Sequence, residues 1–298
     1  MDLLKNELTK LVYDYSIKRK YADGRFIDKV VALCINEFDI NDYVRKCETM
    51  PIEDKYTYAG YSIETRKITI DISSCIISAI DRIESEKKQN IKSSEFLKYV
   101  KVNLNLINGI IHELAHAYQY KKCIEGEDSL EKRILELTLD RNIRVLNDEK
   151  LSLKEIAYYK ALDVISHDDL YYTATPSERM ANLKGLEFEN DISLLLPSKE
   201  KDNLDYYTEL RLLLGQMQAY RDASPTAFID YVNEMMKEKY GLPSGKKDMK
   251  EVEKFYNRLA IENNLSLNER IFLGLPIDKV DRNKIDKKIN KLYKHVMK

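Results

Sequence analysis

His112 and His116 stand four residues apart, with Glu113 beside the first, in the run His112-Glu113-Leu114-Ala115-His116. In an α-helix this spacing puts both imidazoles on one face, one turn apart, where they can reach a single metal ion. The Glu113 carboxylate is then placed to take the proton of a water that the metal activates. The expected chemistry is zinc-dependent hydrolysis, with His112 and His116 as ligands and Glu113 as general base.

The flanks fit a ligand helix kept away from bulk water. Leu104 to Ile111 lead in and Ala117 to Tyr120 lead out, with neither proline nor formal charge. Charged neighbours would pull such a helix toward solvent. Gly109, one turn before His112, costs helix propensity of about 1 kcal/mol against alanine. A close approach of another backbone or of a substrate is expected there.

A catalytic zinc takes three protein ligands and keeps one position open. The extended HExxHxxGxxH pattern fails, because Gln119 stands at the glycine and Lys122 at the third histidine. Three downstream residues are candidates. Glu178 falls in Thr175-Pro176-Ser177-Glu178, where Pro176 starts a helix and Asn182 lies one turn on along the same face. Its competing role is in a capping box with Thr175. Glu136, with Asp140 a turn later, sits in a charge-dense helical pattern, and His167 lies in Ser166-His167-Asp168-Asp169. Glu178 is taken as the metal ligand, with Glu136 and His167 left open. A developing oxyanion needs a donor beside the metal. Tyr172 is expected in that catalytic role, with Tyr171 and His167 as alternatives.

The motif with Ala117-Tyr118-Gln119 after it resembles the zincin metallopeptidases, in the gluzincin branch whose third ligand is a glutamate. Pro176 to Ala181, a Pro-x-Glu-x-x-Ala segment, resembles the third-ligand helix of small bacterial and phage HExxH proteins. Glu136 with Asp140 is similar in spacing to the thermolysin group, whose Asn-Glu-x-x-Ser-Asp signature is absent here. The resemblance spans about residues 56–190. It implies His112 and His116 as ligands, Glu113 as base, and a small sheet packed on the metal-binding helix. A two-histidine, one-carboxylate set favours Zn²⁺, one per chain, although iron can use similar ligands.

The 298 residues allow one large or two modest domains. The formal net charge of −1 gives no global field for nucleic acid or an anionic membrane. The peptidase reading makes a peptide or protein substrate the expected partner. Trp is absent and Tyr numbers 21. With frequent Lys, Ile and Asn, this resembles coding in an AT-rich bacterial or phage genome. Cys34, Cys47, Cys75 and Cys123 form no CxxC and read as unpaired thiols in a reducing compartment. The N-terminus lacks an apolar signal core, and no run approaches the roughly 18 apolar residues of a membrane span. A cytoplasmic location is expected.

The elements that must position these residues read as mainly α, within an α+β class. The first fifty residues show helical spacing, broken near Ala22-Asp23-Gly24. A hairpin follows, Tyr56 to Tyr61 with Lys67 to Ile72, in which Ile68, Ile70 and Ile72 alternate with Lys67, Thr69 and Asp71. Its free edge could hold an extended peptide. Helical patterns cover about 73–87, 94–122, 128–147, 153–165 and 176–185, then 203–220, 225–239, 247–263 and 281–297. A charged connector after Pro197 divides the chain into 1–197, the zincin-like part, and a helical region at 198–298. In the last helix Ile285, Ile289, Leu292 and Val296 form an apolar stripe opposite five lysines. The alternative function is a non-catalytic zinc-binding sensor or interaction module, with the C-terminal helices as its partner surface.

Overall fold

The computed structural model describes residues 2–53, 58–88, 94–127, 176–197, 201–222 and 279–296, with isolated positions at 132, 135, 258, 261, 262, 264 and 266. Seven helices and three strands are found among them. They are α1 Asp2–Ile17, α2 Gly24–Phe38, β1 Lys46–Thr49, β2 Ala59–Ser62, β3 Lys67–Ile70, α3 Ile72–Lys88, α4 Glu95–Glu125, α5 Pro176–Leu195, α6 Lys201–Asp222 and α7 Lys279–Val296. The fold is mainly helical with one small sheet. The segments expected as helices at 128–147, 153–165, 225–239 and 247–263 lie largely or wholly outside the described residues. Among the described helices none is long and apolar enough to cross a membrane.

The chain forms two compact units, each built from separate segments. The first holds Met1–Lys121, Ala181–Leu214 and Asp286–Lys298, and the second holds Lys122–Met180 and Gly215–Ile285.

In the first unit, α1 buries Leu4, Leu8, Leu11 and Val12, the spacing of one helical stripe. The Asp23 side chain caps α2 by accepting from the Phe26 amide at 3.0 Å. Asp39 ends that helix in the left-handed region (φ 51°), a conformation that short polar side chains tolerate. The sheet order is β1-β3-β2. The β1 strand runs parallel to β3 and the β2 strand antiparallel, with Cys47 opposite Ile68 and Ala59 opposite Ile70.

Ile68 and Ile70 are fully buried, as their alternation predicts. The alternation then stops one residue early. Asp71, expected to face outward, is buried as the N-cap of α3: its carboxylate accepts from the Ser74 amide (3.0 Å) and hydroxyl (2.8 Å). Its own amide donates to the Tyr58 carbonyl at 2.7 Å, joining the end of β3 to the residue before β2. Ile72 opens α3 instead of extending the strand. The strand β1 falls in a region expected to be helical; four residues are too few for a period to show.

The metal-motif helix α4 is the longest described element, at 31 residues. Ser94 caps it, accepting from the Leu97 amide at 3.2 Å. From Leu97 to Gln119 it is buried on nearly every face, as a central helix should be. Its apolar residues join one core with α1, α2, the sheet, Phe188 and Ile192 of α5, and Leu204 and Tyr207 of α6. Asn103 is fully buried and satisfied: its Oδ1 accepts from the Ala22 amide (2.8 Å), while Nδ2 donates to the Lys20 carbonyl (3.1 Å). No disulfide joins the four cysteines, and burial pushes the Cys75 thiol up to about 12.

Candidate metal centre

One helical turn brings the motif together. The Nε2 atoms of His112 and His116 are 3.1 Å apart, with the rings edge to face at 83°. Zinc–nitrogen bonds of about 2.0–2.1 Å at tetrahedral angles would separate two donor nitrogens by about 3.3 Å. The two nitrogens therefore lie at a spacing that one ion could bridge. Glu113 Oε1 lies 3.9 Å from His112 Nε2. Among the described residues, His112, Glu113 and His116 are the group whose ligand atoms could hold a metal, all within 4.8 Å of one another. Glu113 is buried at 6% exposure, while both histidines are half-buried.

Gln119 sets the state of the second imidazole. His116 Nδ1 lies 3.0 Å from Gln119 Oε1, and an amide oxygen only accepts. The hydrogen of neutral His116 is thus placed on Nδ1, which leaves the Nε2 lone pair available to a metal. The sequence presented Gln119 only as a break in a longer motif. Its position three residues after His116 was the available signal for this role.

Contacts on both sides of the motif fix α4. Before it, Gly109 is pressed against the Tyr58 ring: a Cβ there would come within 2.6 Å of Tyr58 Cε2. The close approach expected at Gly109 is made here by the Tyr58 side chain. Asn108 meets Gly185 of α5, where a Cβ would lie 2.8 Å from the Asn108 carbonyl oxygen. Asn108 Nδ2 donates to Glu189 Oε2 at 3.0 Å, and Glu189 pairs through its other oxygen with Arg211 of α6. After the motif, Lys121 Nζ donates to the Asp39 carbonyl (2.6 Å) and carboxylate (2.5 Å) at the end of α2.

Glu178 lies in the first turn of α5, where Pro176 predicts it, and is buried at 8% exposure. It belongs to the second unit. Helix α5 continues to Leu195, ten residues beyond the expected end. Tyr172, Tyr171, His167 and Glu136 lie outside the described residues. No protein-family model matches the chain, and neither a curated protein nor a solved structure matches it. Both fold and site therefore stand on the chain's own residues.

Proposed function

We propose that the protein is a zinc-dependent metallopeptidase of the zincin type, in which His112 and His116 hold the metal and Glu113 is the general base. The observation that carries this reading is the 3.1 Å convergence of the two Nε2 atoms on a buried helix beside a buried carboxylate. When bound, zinc supplies a Lewis acid that polarises a scissile carbonyl and brings the pKa of water toward neutrality. Glu113 accepts the proton of the attacking water and passes it to the leaving amine. Gln119 keeps the His116 hydrogen on Nδ1 throughout. Glu178 is proposed as the third ligand and Tyr172 as a donor to the developing oxyanion, both on sequence pattern. The small sheet shares one core with α4, which is compatible with this reading.

A purely structural zinc site closes all four positions with protein ligands and has no use for a base. The buried Glu113 favours catalysis over that alternative. The deciding experiment measures zinc content and hydrolysis of a fluorogenic peptide library for wild type, Glu113→Gln and His112→Ala. Glu113→Gln should retain zinc and lose hydrolysis by roughly 10²–10⁴-fold. His112→Ala should lose both. Full activity in Glu113→Gln would overturn the mechanism.

A further inference from the structure

Besides its apolar core contacts, α4 is gripped by charged groups along the face that leads to His112. Lys101, Asn105, Asn108 and His112 follow at spacings of four, three and four, which place them in one stripe. Lys101 donates to Glu86 Oε2 at 2.8 Å, and Arg82 Nη2 donates to Asn105 Oδ1 at 2.9 Å; both partners come from α3. Asn108 Nδ2 donates to Glu189 Oε2 of α5 at 3.0 Å, and the other oxygen of Glu189 pairs with Arg211 of α6. Apolar contact is non-directional, so it seats a helix without dictating how the helix is turned about its axis. Hydrogen bonds to charged groups are directional and supply that turn.

The bond at Asn108 lies nearest to the metal motif. Asn108 stands one turn, about 6 Å, before His112, and its carbonyl is the helical acceptor of the His112 amide. That carbonyl oxygen also faces Gly185 of α5, where a Cβ would lie 2.8 Å away. The Asn108 side chain is oriented from both ends. An ionised carboxylate only accepts, so Nδ2 points to Glu189. Oδ1 fills the space over Gly185, 2.7 Å from where a Cβ would be. Glu189 itself is 1% exposed and is held by the half-buried Arg211. A buried ion pair adds little net stability, because desolvation offsets most of its Coulomb energy. What this pair supplies is direction, passed from α6 through α5 to the turn of the first histidine.

We propose that Glu189 is a positioning residue for the metal centre: held by Arg211, it fixes Asn108 and with it the rotation of α4 at the His112 turn. This rests on the reading of His112 and His116 as metal ligands. Both histidines and Glu113 move with α4, so its rotation sets their distance to any group that another element supplies. A rotation of about 10° moves an atom at the outer helix radius of about 5–6 Å by about 1 Å. Metal–ligand distances hold to about 0.2 Å. Loss of the Glu189 bond leaves α4 seated, since its apolar core and the Tyr58 ring on Gly109 remain.

The test is cobalt(II) titration of the full chain, for wild type, Glu189→Gln, Asn108→Ala and the double variant, with visible spectra at saturation. Cobalt occupies zinc sites, and its visible bands report coordination geometry. Urea unfolding first checks that each metal-free protein is folded. Destabilisation that leaves it folded does not lower the affinity of the folded state, so a merely structural role would leave the titration unchanged. In Glu189→Gln the amide can offer donor or acceptor and no longer dictates the Asn108 orientation. It should weaken cobalt binding about tenfold and alter the visible bands. Asn108→Ala should do the same, and the double variant should be no worse than the weaker single, because both interrupt one chain. Should Glu189→Gln fail to fold with Arg211 left unpaired, Asn108→Ala decides, because it leaves the Glu189–Arg211 pair intact. Losses that add to about a hundredfold in the double variant would separate the two residues and overturn the proposal. Folded variants that bind cobalt as wild type does, with the same spectrum, would overturn the positioning role and leave the metal reading standing. A wild type that takes up neither cobalt nor zinc would overturn the metal reading itself, and the proposal with it.

Discussion

Gly185→Ala puts two opposing effects on one position, and the sign of the outcome tests the packing described for the metal-motif helix. In an exposed helix interior, Gly→Ala stabilises by about 1 kcal/mol. At Gly185 the new Cβ would lie 2.8 Å from the Asn108 carbonyl oxygen and 2.7 Å from its Oδ1. Neither atom yields readily. Glu189 holds the Asn108 amide at 3.0 Å, and Arg211 holds Glu189. The Asn108 carbonyl is itself the helical acceptor for the His112 amide. Overpacking of this kind costs about 1–3 kcal/mol. Net of propensity, a loss of about 1 kcal/mol is expected, or about 2–4 °C in Tm. Urea unfolding reads it as a lower midpoint at unchanged slope. Gly24→Ala is the control, since a Cβ there meets nothing within 4 Å; it should be neutral or slightly stabilising. Gly185→Ala as stable as wild type, or more so, would refute the tight crossing. Chelator competition on the same variant should show weaker zinc retention, because the wedge acts on the turn that carries His112.

Gln119→Leu should leave the fold intact yet weaken zinc binding about 10–100-fold, as loss of a partner to a ligating imidazole does; competition with a chromophoric chelator measures it. Zinc content of Glu178→Ala and Glu136→Ala should separate the third-ligand candidates, with loss confined to Glu178→Ala. Loss confined to Glu136→Ala would move the ligand to the thermolysin-like spacing. Asp71→Ala should cost about 1 kcal/mol at neutral pH by removing the α3 cap. The Ser74 amide holds the Asp71 carboxyl below the ordinary carboxylate range. Its contribution is therefore full above the unfolded value of about 3.9 and is lost as pH falls through the lower folded value. Urea unfolding at pH 7 and at pH 3 or below should show the gap between wild type and Asp71→Ala narrowing with acidification. A gap that stayed constant would detach the pH effect from Asp71.

What the sequence disclosed follows the range of the interactions that decide each feature. The helix over 94–122 and its His112–His116 turn were legible because spacing within one helix is a local property, and α4 is observed at Glu95–Glu125. The same holds for Ile68 and Ile70, whose alternation marks a buried strand face. Asp71 was misplaced because alternation carries no signal for the residue at which a strand becomes a helix. There, capping the Ser74 amide outweighs exposure of the carboxylate. The strand β1 was missed for a different reason. It exists through parallel pairing with β3, about twenty residues later, and its four residues hold no period of their own.

The site divides along the same line. His112, Glu113, His116 and, in retrospect, Gln119 are fixed by offsets of one to four residues on one helix. The groups that hold that helix in place come from far along the chain. Tyr58 meets Gly109 from 51 residues earlier, and Glu189 reaches Asn108 from 81 residues later. In sequence, nothing names the partners of Lys101, Asn105 and Asn108. The structure supplies them with Glu86, Arg82 and Glu189. A periodic pattern reports which residues share a face and is silent on what covers it. The His112-Glu113-His116 grouping could therefore be read from one line of sequence. The charged cluster two turns away became visible only when α3, α5 and α6 were in place around it.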